Sequence, residues 1–543
     1  MSPTNSQRDH LALQPLEAHD KTEAGEERME KVNVLTTDGS LNAQRTTKFM
    51  LFFCMWISFA SWIANFDAGY QGTVLIMPSF NKAFGTCRKV PNPATGAMEE
   101  QCSLSATRQS ITGVGVLFQA VGGAAAGVSG TYIGRRTTLQ LACAICIIGG
   151  AGMLGTAGNF LHYMVCKCIA CFGIGHLQAV AIVYGAECTP PNRRGLLLGV
   201  FNIGLAMGNV AASAVAAGSS HLDPTDNWQW RAPIMCQIPL NLILGIGVLM
   251  FPESPRWLAV QNREDQARLS VARFQKEDPQ APIVTAQIED INRHIELERQ
   301  IAATTSWTEI YHGRNLVRTL TSCFILISLA VTGIQFVAPY AALFLESVGI
   351  KNPYLINVII GLCILGGALW GSFALEYGGR RFSMLVGYSS LAVCMLIFSS
   401  VSTALGAGSE VAKNVVVVFL CLWAFLFGGF IGPSVWLASA EMHSVRLRTY
   451  GQANTTFFYN IFSFAATFWT PYMLSAEYGN MGVNVGYFYF GITLVVLVLT
   501  FLLVPETARL TLEQIDDHFI SGRKAWKTST ARNKRIARGA EEL

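Results

Sequence analysis

The stretch Gly134-Arg135-Arg136 lies between two long runs that contain no charged residue, 109–134 and 137–166. The same tripeptide returns as Gly379-Arg380-Arg381, again close to two charge-free runs, 352–375 and 382–409. Because about 20 apolar residues span a bilayer as a helix, each run is long enough to cross a membrane. The tripeptide therefore predicts pairs of membrane helices joined by a short, positively charged turn.

Charge-free runs of this kind recur along most of the chain. Of its 543 residues 51% are hydrophobic and 14% are charged, whereas about a quarter of the residues in soluble proteins are charged. The other runs are 49–66, 195–222, 232–252, 319–345, 414–440, 449–476 and 478–505, with 177–186 as the end of a helix that begins near His162. The sequence predicts an all-α membrane protein with twelve transmembrane helices.

An internal repeat divides these helices into two sets of six. Besides the tripeptide, Glu187 returns as Glu441, and Pro252-Glu253 returns as Pro505-Glu506, at nearly constant spacing. Six helices separate the copies, so both copies face the same side of the membrane, as in transporters that bind a solute between two bundles. We expect a disordered tail (1–47), a six-helix bundle (48–252), a linker with short helices (253–316), a second bundle (317–505) and a basic tail (506–543).

Lys and Arg in short loops indicate the orientation. Arginine pairs follow every second predicted helix, and such pairs favour the cytoplasmic side: Arg135 and Arg136, Arg193 and Arg194, Arg380 and Arg381, Arg446 and Arg448. Both termini are then cytoplasmic. Cys87 and Cys102 fall in a loop on the opposite, oxidising side, where they form either a disulfide or two free thiols.

An ordered set of motifs from Lys48 to Glu513 resembles the sugar porters of the major facilitator superfamily. The motifs are Phe66-Asp67-Ala68-Gly69-Tyr70, Gly134-Arg135-Arg136, Tyr184 with Glu187 and Arg194-Gly195, Pro252 to Trp257, Glu376 to Arg381, Gly432-Pro433 with Trp436 and Glu441, Arg446 with Arg448, and Pro505-Glu506-Thr507. Their order is more specific than any one of them. The resemblance implies the major facilitator fold, a sugar-like solute and transport across the plasma membrane.

Some details are most similar to fungal α-glucoside permeases. They are Pro339-Tyr340 before Phe344-Leu345-Glu346, the segment from Tyr459 to Leu474, and Gln178. One departure concerns a Gln pair that sugar porters use to bind sugar hydroxyls, because Leu329 and Ala330 stand at those positions. We therefore expect a disaccharide rather than a hexose, with a polyol, a sugar acid such as quinate or a specialised metabolite as alternatives.

Two charged residues in apolar surroundings are candidates for proton coupling. Asp67 ends the first run, and Lys167 lies in the outer part of the fourth helix. Charged groups within a bilayer are costly and commonly functional, and the resemblance implies an Asp–Arg pair here, with Lys in place of Arg. The alternatives are an aspartate in water at a helix end and a lysine that reaches the lipid headgroups.

Uncharged polar and aromatic side chains could surround a sugar. Sugar recognition needs amide groups and an aromatic plane, and the candidates are Gln178, Asn202, Asn209, Gln335, Tyr340, Trp436 and Asn460. Each amide could instead join two helices.

The repeated charges at the cytoplasmic ends could pair between the two bundles and close an inner gate. The candidates are Arg135, Arg136, Glu187, Arg194, Glu253, Arg380, Arg381, Glu441, Arg446 and Arg448. Some of these arginines could simply set the topology.

The leading hypothesis is a proton-coupled sugar symporter of the plasma membrane. A facilitator without proton coupling and a nutrient sensor that signals without transport are the alternatives. The aqueous segments contain no nucleophile–base set, metal-ligand spacing or phosphate loop, so we expect no enzyme, cofactor, metal or nucleic acid. The expected partners are the sugar, a proton and the lipid bilayer.

Overall fold

A computed structural model describes residues 47–91, 98–156, 158–189, 194–406, 408–510 and 512–537. The predicted disordered tail 1–47 thus lies almost entirely outside the described residues. Within these ranges the regular structure is all-helical apart from one hairpin. Eleven of the described helices are long and apolar enough to cross a membrane.

The first bundle contains six long helices: α1 (Lys48–Val74), α4 (Gly115–Ile133), α5 (Arg135–Leu154), α6 (Phe160–Cys188), α7 (Arg194–Ser219) and α8 (Trp228–Gly247). α1 packs along α7, and α6 packs against both α4 and α5. Polar residues define several ends. Thr47 accepts a hydrogen bond from the Met50 amide at the start of α1, and Asn159 does the same for α6, which satisfies N–H groups that have no partner within the helix.

A small cap follows α1. It consists of α2 (Pro78–Phe84), strands β1 (Thr86–Pro91) and β2 (Met98–Ser103), and α3 (Ala106–Ile111). The antiparallel strands place Cys87 opposite Cys102, and the two form a disulfide. The sequence left this pairing open. We call the side of the molecule that carries it the disulfide end, and the side that carries Arg135 and Arg380 the arginine end.

The second bundle repeats the first with two interruptions. Its elements are α12 (Gly313–Leu329), α13 (Gln335–Ser347), α14 (Pro353–Gly378), α15 (Arg380–Leu405), α16 (Glu410–Leu426), α17 (Gly432–Glu441), α18 (Arg448–Leu474) and α19 (Val485–Leu503). Wider turns at 330–334 and 427–431 join α12 to α13 and α16 to α17, so each pair forms one span. α18 has 27 residues, many of them polar, and it adds a further long helix to the eleven apolar spans.

Short helices cover the arginine end. α9 (Pro255–Val260), α10 (Glu264–Gln275) and α11 (Pro282–Thr304) link the bundles, and α20 (Leu512–Ile520) and α21 (Thr530–Ala537) follow the last span. The linker has an apolar cluster of its own around Trp257, Val271 and Ile288. In the tail, Asn533 donates hydrogen bonds to the carbonyl groups of Glu506 and Ala508.

The bundles meet near the disulfide end. α14 packs against α7, and α13 packs against α1. Asn357 of α14 donates to the hydroxyl groups of Thr73 and Ser213, both at 3.2 Å. A methyl group added at Gly72 would lie 1.8 Å from the carbonyl oxygen of Pro339, so the two backbones are in direct contact.

Candidate functional site

Asp67 and Lys167 form a buried ion pair inside the first bundle. Lys167 Nζ lies 2.7 Å from Asp67 Oδ2, and the two residues are 4% and 1% exposed. Asp67 is the twentieth residue of the 27-residue α1, so it lies well within the helix rather than in water at its end. Lys167 points to Asp67 and not to the headgroups. The structure therefore brings together the two residues that the sequence paired.

Aromatic rings cover this pair toward the disulfide end. Tyr163 precedes Lys167 by one helical turn and packs against Phe80, Phe84 and Trp230, with ring centroids 5.3 to 6.1 Å apart. All four rings are buried. This cluster separates the ion pair from the hairpin that carries the disulfide.

Two amide side chains that the sequence identified each hydrogen-bond a neighbouring helix of their own bundle. Gln178 of α6 accepts a hydrogen bond of 2.8 Å from Gln119 of α4. Gln335 donates to Ser463 and accepts from Thr467 at 3.3 Å, which joins α13 to α18. All of these side chains except Ser463 and Thr467 are only partly buried, so they remain within reach of a solute.

The other side chains predicted to bind the solute differ in how exposed they are and in what they contact. Trp436 is 39% exposed and contacts the ring of Tyr459 edge-on at 5.2 Å. Asn460 donates to the Thr456 carbonyl within its own helix. Asn202 is exposed, whereas Asn209 lies against Gly361 of the second bundle.

Tyr340 does not belong to an open polar surface. It is fully buried, and its hydroxyl reaches the Gln109 carbonyl at 3.5 Å, across the contact between the bundles. The structure thus places Tyr340 in the closed disulfide end. Leu329 and Ala330, which replace the Gln pair, are buried in the core of the second bundle.

At the arginine end of the first bundle, the repeated residues form one cluster. Arg135 makes two hydrogen bonds to Glu187, at 3.0 and 2.9 Å. Glu253 accepts from the backbone amides of Arg135 and Arg136 at the start of α5, where the helix dipole favours an anion. Ser254 donates to Glu187 at 2.6 Å.

The second bundle repeats this cluster almost atom for atom. Arg380 makes two hydrogen bonds to Glu441, at 3.2 and 2.9 Å. Glu506 accepts from the Arg380 amide at the start of α15, and Thr507 donates to Glu441 at 2.5 Å. The sequence repeat is therefore the repeat of a folded cluster that ties three helix ends together.

The sequence predicted that these charges pair between the bundles when the inner gate is closed, and in this structure they pair within each bundle instead. Among the described residues, every ion pair of the two clusters lies within one bundle. Arg446 pairs with Glu309 of the linker, Arg448 donates to the Ala440 carbonyl and Arg381 donates to the Phe501 carbonyl. The side chain of Arg194 lies outside the described part of the chain. The bundles thus share contacts at the disulfide end, and among the side chains that the structure describes no ion pair joins the bundles at the arginine end.

Sequence reasoning missed several polar residues of the site. Tyr70 and Gln237 contact the ion pair or each other, and Gln119, Ser463 and Thr467 hold the amides of Gln178 and Gln335. Amide and hydroxyl groups within apolar runs were the available signal. The runs alone did not show which of them face another helix.

A family model and several curated relatives that match this chain all describe transporters. The family described as "Sugar (and other) transporter" matches residues 53–519. The major facilitator-type transporter ecdD of Aspergillus rugulosus is 25% identical and covers 90% of both chains. The high-affinity fructose transporter ght6 of Schizosaccharomyces pombe is 26% identical over 89% of both. The probable glucose transporter rco-3 of Neurospora crassa is 27% identical over 86% of this chain and 78% of its own.

Solved structures show a similar fold. The inward open conformation of the xylose transporter XylE from E. coli superimposes with a TM-score of 0.69 at 19% identity, over 86% of this chain and 99% of that one. A partially occluded inward open conformation of XylE gives a TM-score of 0.67 at 18% identity, over 85% and 99%. At this identity the likeness concerns the fold alone.

Proposed function

Because the chain belongs to the Sugar (and other) transporter family and has the major facilitator fold, we propose that it carries a sugar across the plasma membrane together with a proton. Members of this family are transporters, so the chain is not an enzyme. Transport proceeds by alternating access, in which the two bundles open the solute site to one side of the membrane at a time.

The buried Asp67–Lys167 pair carries the proposal of proton coupling. A carboxylate that is 4% exposed and paired with one lysine loses its partner's attraction when it is protonated, since a neutral carboxyl group no longer attracts the ammonium. Loss of a buried ion pair through the neutralisation of one partner changes the free energy of the conformation that contains it by several kcal/mol. Proton uptake can thus favour one conformation over the other.

The solute site lies between the bundles in this proposal. Gln178 and Gln335 offer amide groups, and Trp436 offers a half-exposed aromatic plane, the chemistry that sugars require. The positive-inside rule supports a cytoplasmic arginine end. The structure then corresponds to a state closed to the outside, because Asn357, Tyr340 and Gly72 join the bundles at the disulfide end.

Substrate size stays a prediction. Two relatives are named for glucose and fructose, and XylE is named for xylose. Monosaccharides are therefore candidate substrates besides the disaccharide that the resemblance to α-glucoside permeases suggested. Both classes therefore belong in the test.

The test is uptake of labelled glucose, fructose, xylose and maltose at acid and neutral pH, in cells without sugar carriers of their own. We expect uptake that rises in acid, and Asp67→Asn is expected to abolish this rise because its side chain cannot be charged. Asp226→Asn, which changes an exposed aspartate, is the matched control. Uptake that does not depend on pH and survives in Asp67→Asn would establish a facilitator, and a protein that reaches the surface without any uptake would point to a sensor.

A further inference from the structure

The hydroxyl group of Tyr70 lies between the Asp67 carboxylate and the amide of Gln237. Its oxygen is 2.7 Å from Asp67 Oδ1 and 3.3 Å from Gln237 Oε1. Tyr70 and Gln237 are 0% and 1% exposed. A phenol carries one proton and donates one hydrogen bond, so the two oxygens compete for it. The shorter distance assigns that proton to the bond with Asp67.

Tyr70 also contacts the other member of the ion pair. Lys167 Nζ lies 5.1 Å from the centre of the Tyr70 ring, within the range of a cation–π interaction. One side chain therefore touches the carboxylate through its hydroxyl and the ammonium through its ring. A lysine that leaves Asp67 would still have a favourable contact nearby.

The amide of Gln237 suits two hydrogen-bonding states of Tyr70. An amide has both an acceptor oxygen and a donor nitrogen. Gln237 Nε2 is buried and has no hydrogen-bond partner among the described residues. Rotation about the last side-chain bond would present either atom to Tyr70, so Gln237 can accept from the hydroxyl in one state and donate to it in the other.

We propose that Tyr70 is a positioning residue whose hydrogen bond changes partner with the protonation of Asp67. It donates to Asp67 while the carboxylate is charged, and to Gln237 once Asp67 holds a proton. Tyr70 keeps its own proton throughout, and the incoming proton goes to Asp67 alone. This inference rests on the proposed proton coupling. Because Tyr70 belongs to α1 and Gln237 to α8, the exchange makes the contact between these helices depend on the charge of Asp67.

Other titratable groups face the same carboxylate. They are Tyr163, Lys167 and Cys171 on α6 and Cys146 on α5, besides Tyr70 on α1 itself. The adjoining part of α8 contributes the uncharged amide of Gln237, and α7 approaches α1 next to Asp67 through the backbone of Asn209. Lys167 supplies the positive charge, and Tyr70 is the member of this group that hydrogen-bonds both Asp67 and another helix.

An infrared titration of the purified protein in lipid vesicles tests this without a sugar. The band of a protonated carboxyl group that disappears in Asp67→Asn belongs to Asp67. In Tyr70→Phe the charged form loses a donor, so we expect its midpoint to move to higher pH by about one unit. In Gln237→Leu both forms lose a hydrogen bond between Tyr70 and residue 237, but only the protonated form leaves the hydroxyl proton of Tyr70 without its acceptor, so the midpoint is expected to move to lower pH.

Opposite shifts distinguish an exchange of partners from a general loosening of the site. Tyr163→Phe removes a buried phenol near the pair and is expected to leave the midpoint unchanged. Equal midpoints in wild type and both variants, or shifts in one direction, would overturn the role of Tyr70 while coupling stands. The absence of any Asp67 band across the titration would instead refute the proposed coupling. Should Tyr70→Phe fail to fold, a midpoint in Gln237→Leu at or above that of wild type would still overturn the inference.

Discussion

In the ion pair of Asp67 and Lys167, the free-energy cost of burying each charge depends on the presence of the other. Both side chains are buried, and each has lost its water shell. The attraction between them compensates for that loss only while both partners are present. Removing one partner should therefore cost more than removing both.

We expect Lys167→Met to destabilise the protein by about 3 to 5 kcal/mol at neutral pH, because a buried carboxylate is left without its cation. The double variant Asp67→Asn with Lys167→Met should recover most of this loss, since neither remaining side chain is charged. The apparent melting temperature of the purified protein in detergent measures both. A double variant as unstable as Lys167→Met would show that the lysine acts through packing and not through charge.

His443 is a buried titratable residue outside the membrane spans. Burial, together with the nearby Arg448 and Arg318, lowers the pKa of His443 to about 4, compared with about 6.5 for a free histidine. Between these values the unfolded chain binds more protons than the folded one. The contribution of His443 to stability is therefore complete above about pH 6.5 and is lost as the pH falls toward 4.

We expect His443→Asn to weaken the loss of stability in acid, because asparagine cannot be protonated in this range and can still hydrogen-bond Thr455, which His443 contacts at 3.3 Å. The measurement is the melting temperature of both proteins across that pH range. The difference between them removes the effect of other groups, such as His518, whose pKa is also lowered by burial. Parallel curves for the two proteins would contradict the prediction.

At the residue scale, charge decided what could be predicted. Asp67 and Lys167 stand out in the sequence because few charged residues occur within apolar runs. Tyr70, Gln237 and Ser463 do not stand out, since uncharged polar residues are common in membrane helices and their role depends on which helix they face. That information comes only from packing.

At the scale of helices, charge also decided where the sequence placed the ends of each element. The run 49–66 ended at Asp67, whereas α1 continues to Val74, because the charge that ended the run has a partner inside the bundle. The run 137–166 crossed the loop between α5 and α6, since residues 155–159 carry no charge. Runs without charge therefore predicted the number of helices better than their ends.

The interruption between α12 and α13 depends on Gly333, whose φ of 110° is strained for any residue with a side chain. A methyl group there would also lie 3.2 Å from Met395 and 3.3 Å from Trp423. We expect Gly333→Ala to lower stability by about 1 to 3 kcal/mol. The melting temperature of the purified protein measures this.

Gly366→Ala in α14 is the matched control for that substitution. Its added methyl group would meet the ring of Phe425 at 3.6 Å, an ordinary contact, and alanine favours a helix over glycine by about 1 kcal/mol. We expect this variant to be as stable as wild type or more so. If Gly333→Ala behaved like Gly366→Ala, the interruption would not depend on the backbone of Gly333.

On the scale of the whole molecule, the two bundles are joined at one end and carry self-contained charge clusters at the other. The clusters of Arg135 and Arg380 are complete within their own bundles, so they keep each bundle rigid whether or not the arginine end is open. The contacts at the disulfide end are different. Asn357, Tyr340 and Gly72 contact the other bundle, so these contacts must break if that end opens.

The contact of Gly72 with Pro339 permits a direct test of this asymmetry. A side chain at Gly72 would overlap the Pro339 backbone at 1.8 Å, and overpacking of this kind costs about 1 to 3 kcal/mol. That cost falls only on the state closed at the disulfide end, so Gly72→Leu should shift the balance away from it by about 5- to 150-fold. We expect faster hydrogen–deuterium exchange in α13 and at the start of α14, and a comparable loss of sugar uptake.

Gly218→Leu is the control. Gly218 lies near the end of α7 that is at the disulfide end, and an added methyl group there would have no atom within 4 Å. It should leave both exchange and uptake at the wild-type level. Unchanged exchange of α13 in Gly72→Leu would mean that the bundles close without this backbone contact. Opening and closing must both occur in every cycle of alternating access. Faster exchange with full uptake would therefore mean that closure at the disulfide end is not the step that limits the rate of transport.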